Sequence, residues 1–316
     1  MDLKQLKALV TVAEVGGVTR AAELLHLVQP AVTRQIRTLE QELGVALFKR
    51  TRQGMQPTAA GTTMVARARR ALNELDRARA EIQPMPGEVT GIVTVGLLDS
   101  ASDLLAERLV SAITRERPGI ELRLLTAYSG YLQQWLDDGD LDLTLLYNLA
   151  AIPSLNAKPL AQEKLWVVAP PTGGLGPEQP ISFEQAASHP LILPAPGHGL
   201  RTLIDSAAAR AEVKMNVVVQ TNSMHVQKRL VQAGHGWTIL PGVGIAEDIA
   251  VGSLSAAPLC DPEVWRSIVL CTARTGRVPV AAEVVAQELA RQVRLAVREG
   301  QWPSAQLYDS APGKEA

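Results

Sequence analysis

Residues 19–48, TRAAELLHLVQPAVTRQIRTLEQELGVALF, decide the reading of this chain. Stepping around a helical wheel from Pro30 puts Val32, Ile36, Leu39 and Leu43 at about 200°, 240°, 180° and 220°. Those four make one apolar stripe, which is stable only against a core. Pro30, Thr33, Arg34 and Arg37 fall at about 0°, 300°, 40° and 340°, on the opposite side. That face is small, hydroxylic and cationic, and guanidinium forks suit base edges or phosphates. A preceding helix from Thr19 to His26, capped by Thr19 with Ala22 and Leu25 inward, joins it through a Leu27-Val28 turn. Proline in the first turn of the second helix sacrifices no hydrogen bond. The pair reads as a helix-turn-helix over about residues 18–37, its second helix aimed at a nucleic-acid groove.

Working outward, Asp2 and Gln5 have capping-box spacing ahead of Leu6, Leu9, Val10 and Ala13, and Gly16-Gly17 ends that helix. After Gly44, Ala46–Lys49 and Met55–Pro57 can pair across Thr51-Arg52-Gln53-Gly54 as a small wing, completing a winged domain over 1–58. Thr58 then caps an alanine-rich helix reaching about Gln83. Along it Val65, Ala68, Leu72, Leu75 and Ile82 keep steps of three and four, apart from Arg79. Such a seam is most simply buried against its twin in a homodimer, the alternative being packing on its own wing. Pro84-Met85-Pro86-Gly87 closes this 59–87 linker and hinge.

From Val89 the pattern alternates strand and helix: Ile92–Leu98, Asp103–Arg115, Glu121–Ala127, Tyr131–Asp138 and Leu141–Tyr147. A second set follows with Leu165–Ala169, Leu191–Leu193, Leu200–Ala211, Asn216–Thr221, Met224–Ala233 and Thr238–Leu240. Two α/β subdomains are expected within 88–300, the second over about 162–264. Trp265–Ala273 should return as a strand and Val280–Val297 as a helix rejoining the first subdomain. The tail, 301–316, reads as poorly ordered.

Charge divides along the same boundary: 13 lysines and arginines against eight acids through residue 83, and 18 against 24 beyond it, within a net charge of −1. The base-rich end should meet the polyanion. At 316 residues and 47% hydrophobic the chain can bury more than one core. Glu14 interrupts any leader-like apolar run and no eighteen uncharged apolar residues follow one another, so a cytoplasmic protein without membrane contact is expected. Cys260 and Cys271 are too few for a disulfide framework, and the five histidines show no metal spacing, so neither metal nor other cofactor is expected.

These residues together resemble the LysR-type transcriptional regulators over nearly the whole chain. The specific matches are Leu6, Leu9, Thr19, Ala21-Ala22, Leu25, Gln29-Pro30-Ala31-Val32, Gln35-Ile36, Leu39-Glu40, Leu43-Gly44, Leu47-Phe48, Arg50 and Thr58-Ala59-Ala60-Gly61. The resemblance implies a DNA-binding winged helix-turn-helix, a dimerising linker helix and a two-lobed effector domain like a periplasmic binding protein. It also implies a dimer or tetramer on double-stranded dyad sites, DNA bending and contact with RNA polymerase. Two departures stand out. Val28 occupies a position where the family usually has a capping serine, whose loss costs about 1 kcal/mol. Thr33 replaces a more usual serine and adds a methyl able to meet thymine. Within the family, LLHLVQPAVT, RTRQGMQPTAAG and Gln301-Trp302 are similar to the nitrogen assimilation control branch. That likeness implies control of nitrogen-metabolism genes and leaves open whether any small molecule binds.

Candidate DNA-binding residues are thus Thr19, Gln29, Pro30, Ala31, Thr33, Arg34 and Arg37 at the major groove, with Arg50, Arg52 and Thr58 near phosphates or the minor groove. The bland alternative pairs Arg34 and Arg37 with Glu40 or Glu42 on a solvated face. For a small organic anion, strand-to-helix junctions offer free N–H groups: Ser100, Ser102 and Ser129 in one half, His198, Arg201, Asn222 and Ser223 in the other, with Tyr147 bordering the cleft. Each serine or asparagine is as readily a simple helix cap, and Arg201 is a candidate carboxylate partner. A solute-binding protein, a redox sensor on Cys260 and Cys271 without a defined operator, and a small-molecule enzyme are the competing classes. No nucleophile elbow or phosphate loop favours the last, so no catalytic residue is expected.

Overall fold

The computed structural model describes residues 1–51, 54–82, 89–147, 155–273 and 278–308, in two compact units. The first, Met1–Gly91, begins with α1 (Leu3–Val15), α2 (Val18–Leu24) and α3 (Gln29–Leu43). The wing β1 (Phe48–Thr51) and β2 (Gly54–Pro57) pairs antiparallel, Phe48 opposite Pro57, and α4 (Ala59–Ile82) follows. Asp2 and Gln5 do form the reciprocal capping box: the Asp2 carboxylate accepts from the Gln5 N–H at 2.8 Å, and Gln5 Oε1 from the Asp2 N–H at 2.7 Å.

Thr19 is not a cap. Gly16 closes α1 in the left-handed region (φ 69°) and Gly17 is the extended residue before α2, so the helix starts at Val18 and Thr19 lies exposed in its first turn. Leu6, Leu9, Val12, Ala21, Ala22, Val32, Ile36, Leu39, Leu47 and Phe48 form the core, as the apolar stripe requires. Leu43 departs from the stripe at 42% exposure, because the chain turns at Gly44 and Leu47 with Phe48 close that end of the core.

The α4 seam is divided. Val65 and Ala68 are buried in this chain's own core, where α4 packs on α1, and Leu72 is packed against it, whereas Leu75 is 41% exposed. The side chain of Ile82 and the hinge 83–87 lie outside the described residues. Gly61 allows the wing-to-helix junction its close approach: a Cβ there would sit 1.9 Å from the Leu47 carbonyl oxygen.

The second unit contains β3 (Gly91–Leu98), α5 (Ser102–Glu116), β4 (Ile120–Ala127), α6 (Ser129–Asp138) and β5 (Leu143–Tyr147). It continues with β6 (Leu155–Ala169), β7 (Ile181–Ser182), α7 (Phe183–Ala187), β8 (Leu191–Leu193), α8 (Gly199–Arg210), β9 (Val217–Gln220) and α9 (Met224–Gln232). Then come β10 (Thr238–Pro241), α10 (Ala246–Ala250), β11 (Ser255–Cys260), β12 (Trp265–Ala273), α11 (Val280–Arg298) and β13 (Ala305–Leu307). Strands run β4-β3-β5-β12-β6-β11-β7, with β10 and β13 also paired to β6. The long antiparallel pair β6 and β12 runs through both lobes, with a register shift between Ile268 and Val269. Leu165–Val168, Phe183, Ile192, Ile204, Val231 and Ile239 pack the second lobe, and α11 returns against α5 in the first.

Two expectations fail here. Strand β6 starts ten residues before Leu165, concealed by the polar run NAKP and by Pro159, a residue that argues against a ladder strand. The described part of the tail, 301–308, is packed: Trp302 is buried, and β13 pairs Ala305 with Glu163 and Leu307 with Ala161.

Candidate nucleic-acid interface and ligand cavity

In the first unit, the polar face of α3 lines a shallow depression of about 490 Å³ made by Gln29, Pro30, Thr33, Arg34, Arg37, Thr38 and Gln41. Its two guanidiniums are exposed, and neither has an acidic partner among the described residues. The carboxylates that could have neutralised them are engaged elsewhere. Glu40 Oε1 accepts from the Leu47 N–H at 2.7 Å and the Phe48 N–H at 3.2 Å. Glu42 pairs with the Met1 ammonium and accepts from Gln5, contacts that hold its carboxyl below the usual range. The bland alternative for Arg34 and Arg37 therefore does not hold.

Val28 starts α3 in extended conformation with no side-chain cap, and Pro30 stands in the first turn. The Thr33 hydroxyl donates back to the Gln29 carbonyl at 3.1 Å. Ala31 is half-buried, while Thr19 and Arg50 are exposed, Arg50 on the wing strand opposite Met55. Arg52 lies outside the described residues. Thr58 is a structural residue: its hydroxyl donates to the Ala46 carbonyl at 2.7 Å and accepts from the Gly61 N–H at 3.0 Å, which leaves no proton for a phosphate. Thr38 and Gln41 were missed, although the wheel puts Gln41 at about 20°, the centre of the exposed face.

In the second unit a cavity of about 750 Å³ opens among the ends of β3, β5, β8 and β10 and the starts of α6, α8 and α9. Ser100, Ser129, Tyr147, His198 and Asn222 line it, from both lobes. Ser102, Arg201 and Ser223 do not. The Ser102 hydroxyl donates to the Asp99 carbonyl, and Ser223 caps α9 by accepting from the Val226 N–H. Arg201 is used internally, donating to Asp205 at 2.7 Å and to the Pro194 carbonyl at 3.0 Å. For Ser223 and Arg201 the capping and i,i+4 alternatives win, and Ser102, in the first turn of α5, bonds back to the local backbone.

The cation of the cavity is instead Arg266 on β12, 5% exposed. Its guanidinium lies 3.4 Å from the centre of the Tyr147 ring, and its Nη2 donates to Ser100 Oγ at 3.2 Å. Behind it Glu163 on β6, 0% exposed, accepts from Arg266 Nε at 3.0 Å and Nη2 at 2.8 Å. The other Glu163 oxygen accepts from Trp302 Nε1 at 2.9 Å, Ser304 Oγ at 2.8 Å and the Val243 N–H at 3.4 Å. Ser100 Oγ and the Tyr147 hydroxyl are 2.8 Å apart, and burial raises the Tyr147 phenol above its ordinary value, so it stays protonated.

His198 caps α8 by accepting at Nδ1 from the Leu200 N–H, 3.2 Å, which puts its proton on Nε2. That Nε2 is buried without a hydrogen-bond partner, and the ring packs edge-on to Tyr128 at 4.6 Å. Burial first, then Arg266, lowers the His198 pKa and keeps the ring neutral. Asp99 also lines the cavity, its carboxyl raised by burial and by Asp103. Arg266 was legible only as a lone charge inside the strand-like run WRSIV, and Glu163 only as one of two adjacent charges, with Lys164, in AQEKLWVV. Among the described residues no group of His, Cys, Asp and Glu is arranged to hold a metal. Burial pushes the Cys271 thiol up to about 12, and burial with Asp261 raises Cys260, so neither is primed as a thiolate.

A winged helix-turn-helix with an open cationic reading face, joined to a two-lobed α/β unit with a cavity, defines a one-chain DNA-binding regulator with a ligand-sensing domain. The chain belongs to the LysR family of transcriptional regulators: residues 3–62 match the bacterial regulatory helix-turn-helix protein, lysR family, and residues 86–294 match the LysR substrate binding domain. It is 32% identical to the HTH-type transcriptional regulator BbuR of Bordetella bronchiseptica, over 96% of this chain and 93% of that protein. It is 26% identical to the nitrogen assimilation regulatory protein nac of Klebsiella aerogenes, over 92% of this chain and 94% of that one. Its fold is that of full-length CbnR in the crystal structure with its target DNA, with a TM-score of 0.69 at 22% identity, covering 94% of this chain and 100% of that one.

Proposed function

We propose that this regulator reads a dyad operator through α3, with Arg34 and Arg37 on base edges, Gln29, Pro30, Ala31 and Thr33 beside them, and Thr19 and Arg50 nearer the backbone. The observation that carries this is the liberation of the two guanidiniums by Glu40 and Glu42, each engaged elsewhere. A buried or paired arginine would have to be brought to the surface or released from its carboxylate before it met DNA; these two are exposed and unpaired among the described residues. Lone modules bind weakly, so the operator is read by at least two copies, joined in part through α4 beyond Leu72, and the second unit adjusts transcription through RNA polymerase.

The cavity of the second unit holds a small-molecule effector, with Ser100, Ser129, Tyr147, His198, Asn222 and Arg266 around it. Competition binding on the native operator and scrambled sites tests the DNA half. Arg34→Ala should lose about 5- to 150-fold on the operator, the equivalent of one bidentate guanine contact, and little on scrambled DNA. An equal loss on both would reduce Arg34 to a phosphate contact. A melting-temperature screen of metabolites tests the cavity half.

A further inference from the structure

The wall of the ligand cavity is unusual for this chain. Only four tyrosines occur in 316 residues, and three of them, Tyr128, Tyr131 and Tyr147, line this one cavity. Rings concentrated so strongly in one place serve flat, polarisable surfaces, because offset and edge-on ring pairs add attraction beyond simple burial. Leu98, Leu203 and Met224 continue the wall with apolar surface.

The charge is equally specific. Among the described residues the cavity is lined by two charged side chains, Arg266 and Asp99. Arg266 carries its own counter-ion: Glu163 lies directly behind it and is held there by Trp302, Ser304 and the Val243 N–H. Lys228, which acts on Asp99, is not in the wall and is tied to Asp248 at 2.7 Å and to the Gly244 carbonyl. Counting Glu163, the cavity has no surplus of positive charge, so a carboxylate entering it would lose water without gaining an uncompensated cation. What the wall does offer is donors: the partnerless His198 Nε2–H, and Arg266 Nη1, which none of the hydrogen bonds above uses.

Resting on the reading of this cavity as the effector site, we propose that it takes an uncharged aromatic molecule bearing a carbonyl-type acceptor, rather than the organic anion that helix starts and an arginine suggest at first sight. The ring lies among the tyrosines and the acceptor meets His198 and Arg266.

Calorimetry on the full chain with 1-naphthamide, 1-naphthoate and adipate tests it, since the first two share a ring and differ in charge. The amide should bind at least about tenfold more tightly than the naphthoate, with adipate weaker still. Tyr131→Ala, at a side chain 59% exposed and so without risk to folding, should weaken the amide by about three- to tenfold. Asp99→Asn should narrow the gap between amide and carboxylate, and Glu163→Gln, by removing the built-in counter-ion, should reverse it. If Glu163→Gln does not fold, Asp99→Asn carries the charge test. Tighter binding of naphthoate or adipate to the wild type overturns the proposal and leaves the cavity as an effector site. Binding of none of the three overturns it also, and operator binding that still depends on Arg34 would then show the DNA reading intact. Amide binding indifferent to Tyr131→Ala places the ligand elsewhere and overturns it.

Discussion

Replacing Glu163 with alanine should remove a large part of the stability of the second unit. The substitution leaves the Arg266 guanidinium, 5% exposed, without its carboxylate, and strips the Trp302 indole N–H, the Ser304 hydroxyl and the Val243 N–H of their acceptor. Breaking one side of a buried ion pair costs about 3–5 kcal/mol. Each neutral donor left unpaired in the interior adds about 1–3 kcal/mol. Arg266 keeps Ser100 and the Tyr147 ring, and the adjoining cavity admits water to the vacated space, so the lower ends of these ranges apply, about 6 kcal/mol in all. Against a typical total of about 5–15 kcal/mol, that is a large fraction. For a unit of this size it corresponds to a fall in Tm of about 12–24 °C. Scanning calorimetry of the full chain, supported by urea titration, measures it. In a double-mutant cycle with Arg266→Met, the second change should cost much less in the Glu163→Ala background than alone, because the stranded cation is gone. A loss below about 1 kcal/mol for Glu163→Ala, or strict additivity with Arg266→Met, would refute the reasoning.

His198 gives a pH signature: its folded pKa is lowered, so the unfolded chain binds the proton more readily, and the associated stability is complete above the ordinary value of 6.5 and lost as pH falls below it. Melting curves between about pH 5 and about pH 8 should show that slope in the wild type and lack it in His198→Asn, which retains a capping oxygen. Asp99→Asn should raise Tm at neutral pH, where the wild type holds a carboxylate that burial disfavours, and the gain should vanish once pH falls below 3.8 and the acid is protonated in both states. Thr58→Ala loses a cap and a bond to Ala46, and urea unfolding followed by helical circular dichroism should show a loss of about 1–2 kcal/mol in the first unit. Arg50→Ala should weaken binding alike on all sequences and lower the salt slope by about one, measured by titration over a range of salt concentrations.

The first unit was legible because its information is periodic. Val32, Ile36 and Leu39 declare one face of α3, Asp2 and Gln5 declare a helix start, and the arginines fall opposite the stripe. What periodicity could not show is competition for partners. Glu40 could have neutralised Arg37 on spacing alone; only the fold brings the Leu47 and Phe48 N–H groups to it first. The cavity was half legible for the same reason. Strand-to-helix junctions led to Ser100, Ser129, His198 and Asn222, but junction position does not say whether a hydroxyl faces the cavity or bonds to the local backbone, as those of Ser102 and Ser223 do. Arg266 and Glu163 are 103 residues apart and meet only through the register of β6 and β12. No local pattern encodes that meeting, nor the return of Trp302 from a tail that reads as poorly ordered.

On α3, the residues that hold the helix and those proposed to read DNA are separate. Val32, Ile36 and Leu39 hold the helix to its core, whereas the side chains of Gln29, Arg34, Arg37 and Gln41 make no hydrogen bond or ion pair with the rest of the described protein. Changing the second set leaves the first untouched, so the sequence this regulator reads can drift, or be rewritten by design, with almost no thermodynamic penalty to the scaffold. New operators are therefore accessible to it through single substitutions that never pass through an unstable intermediate.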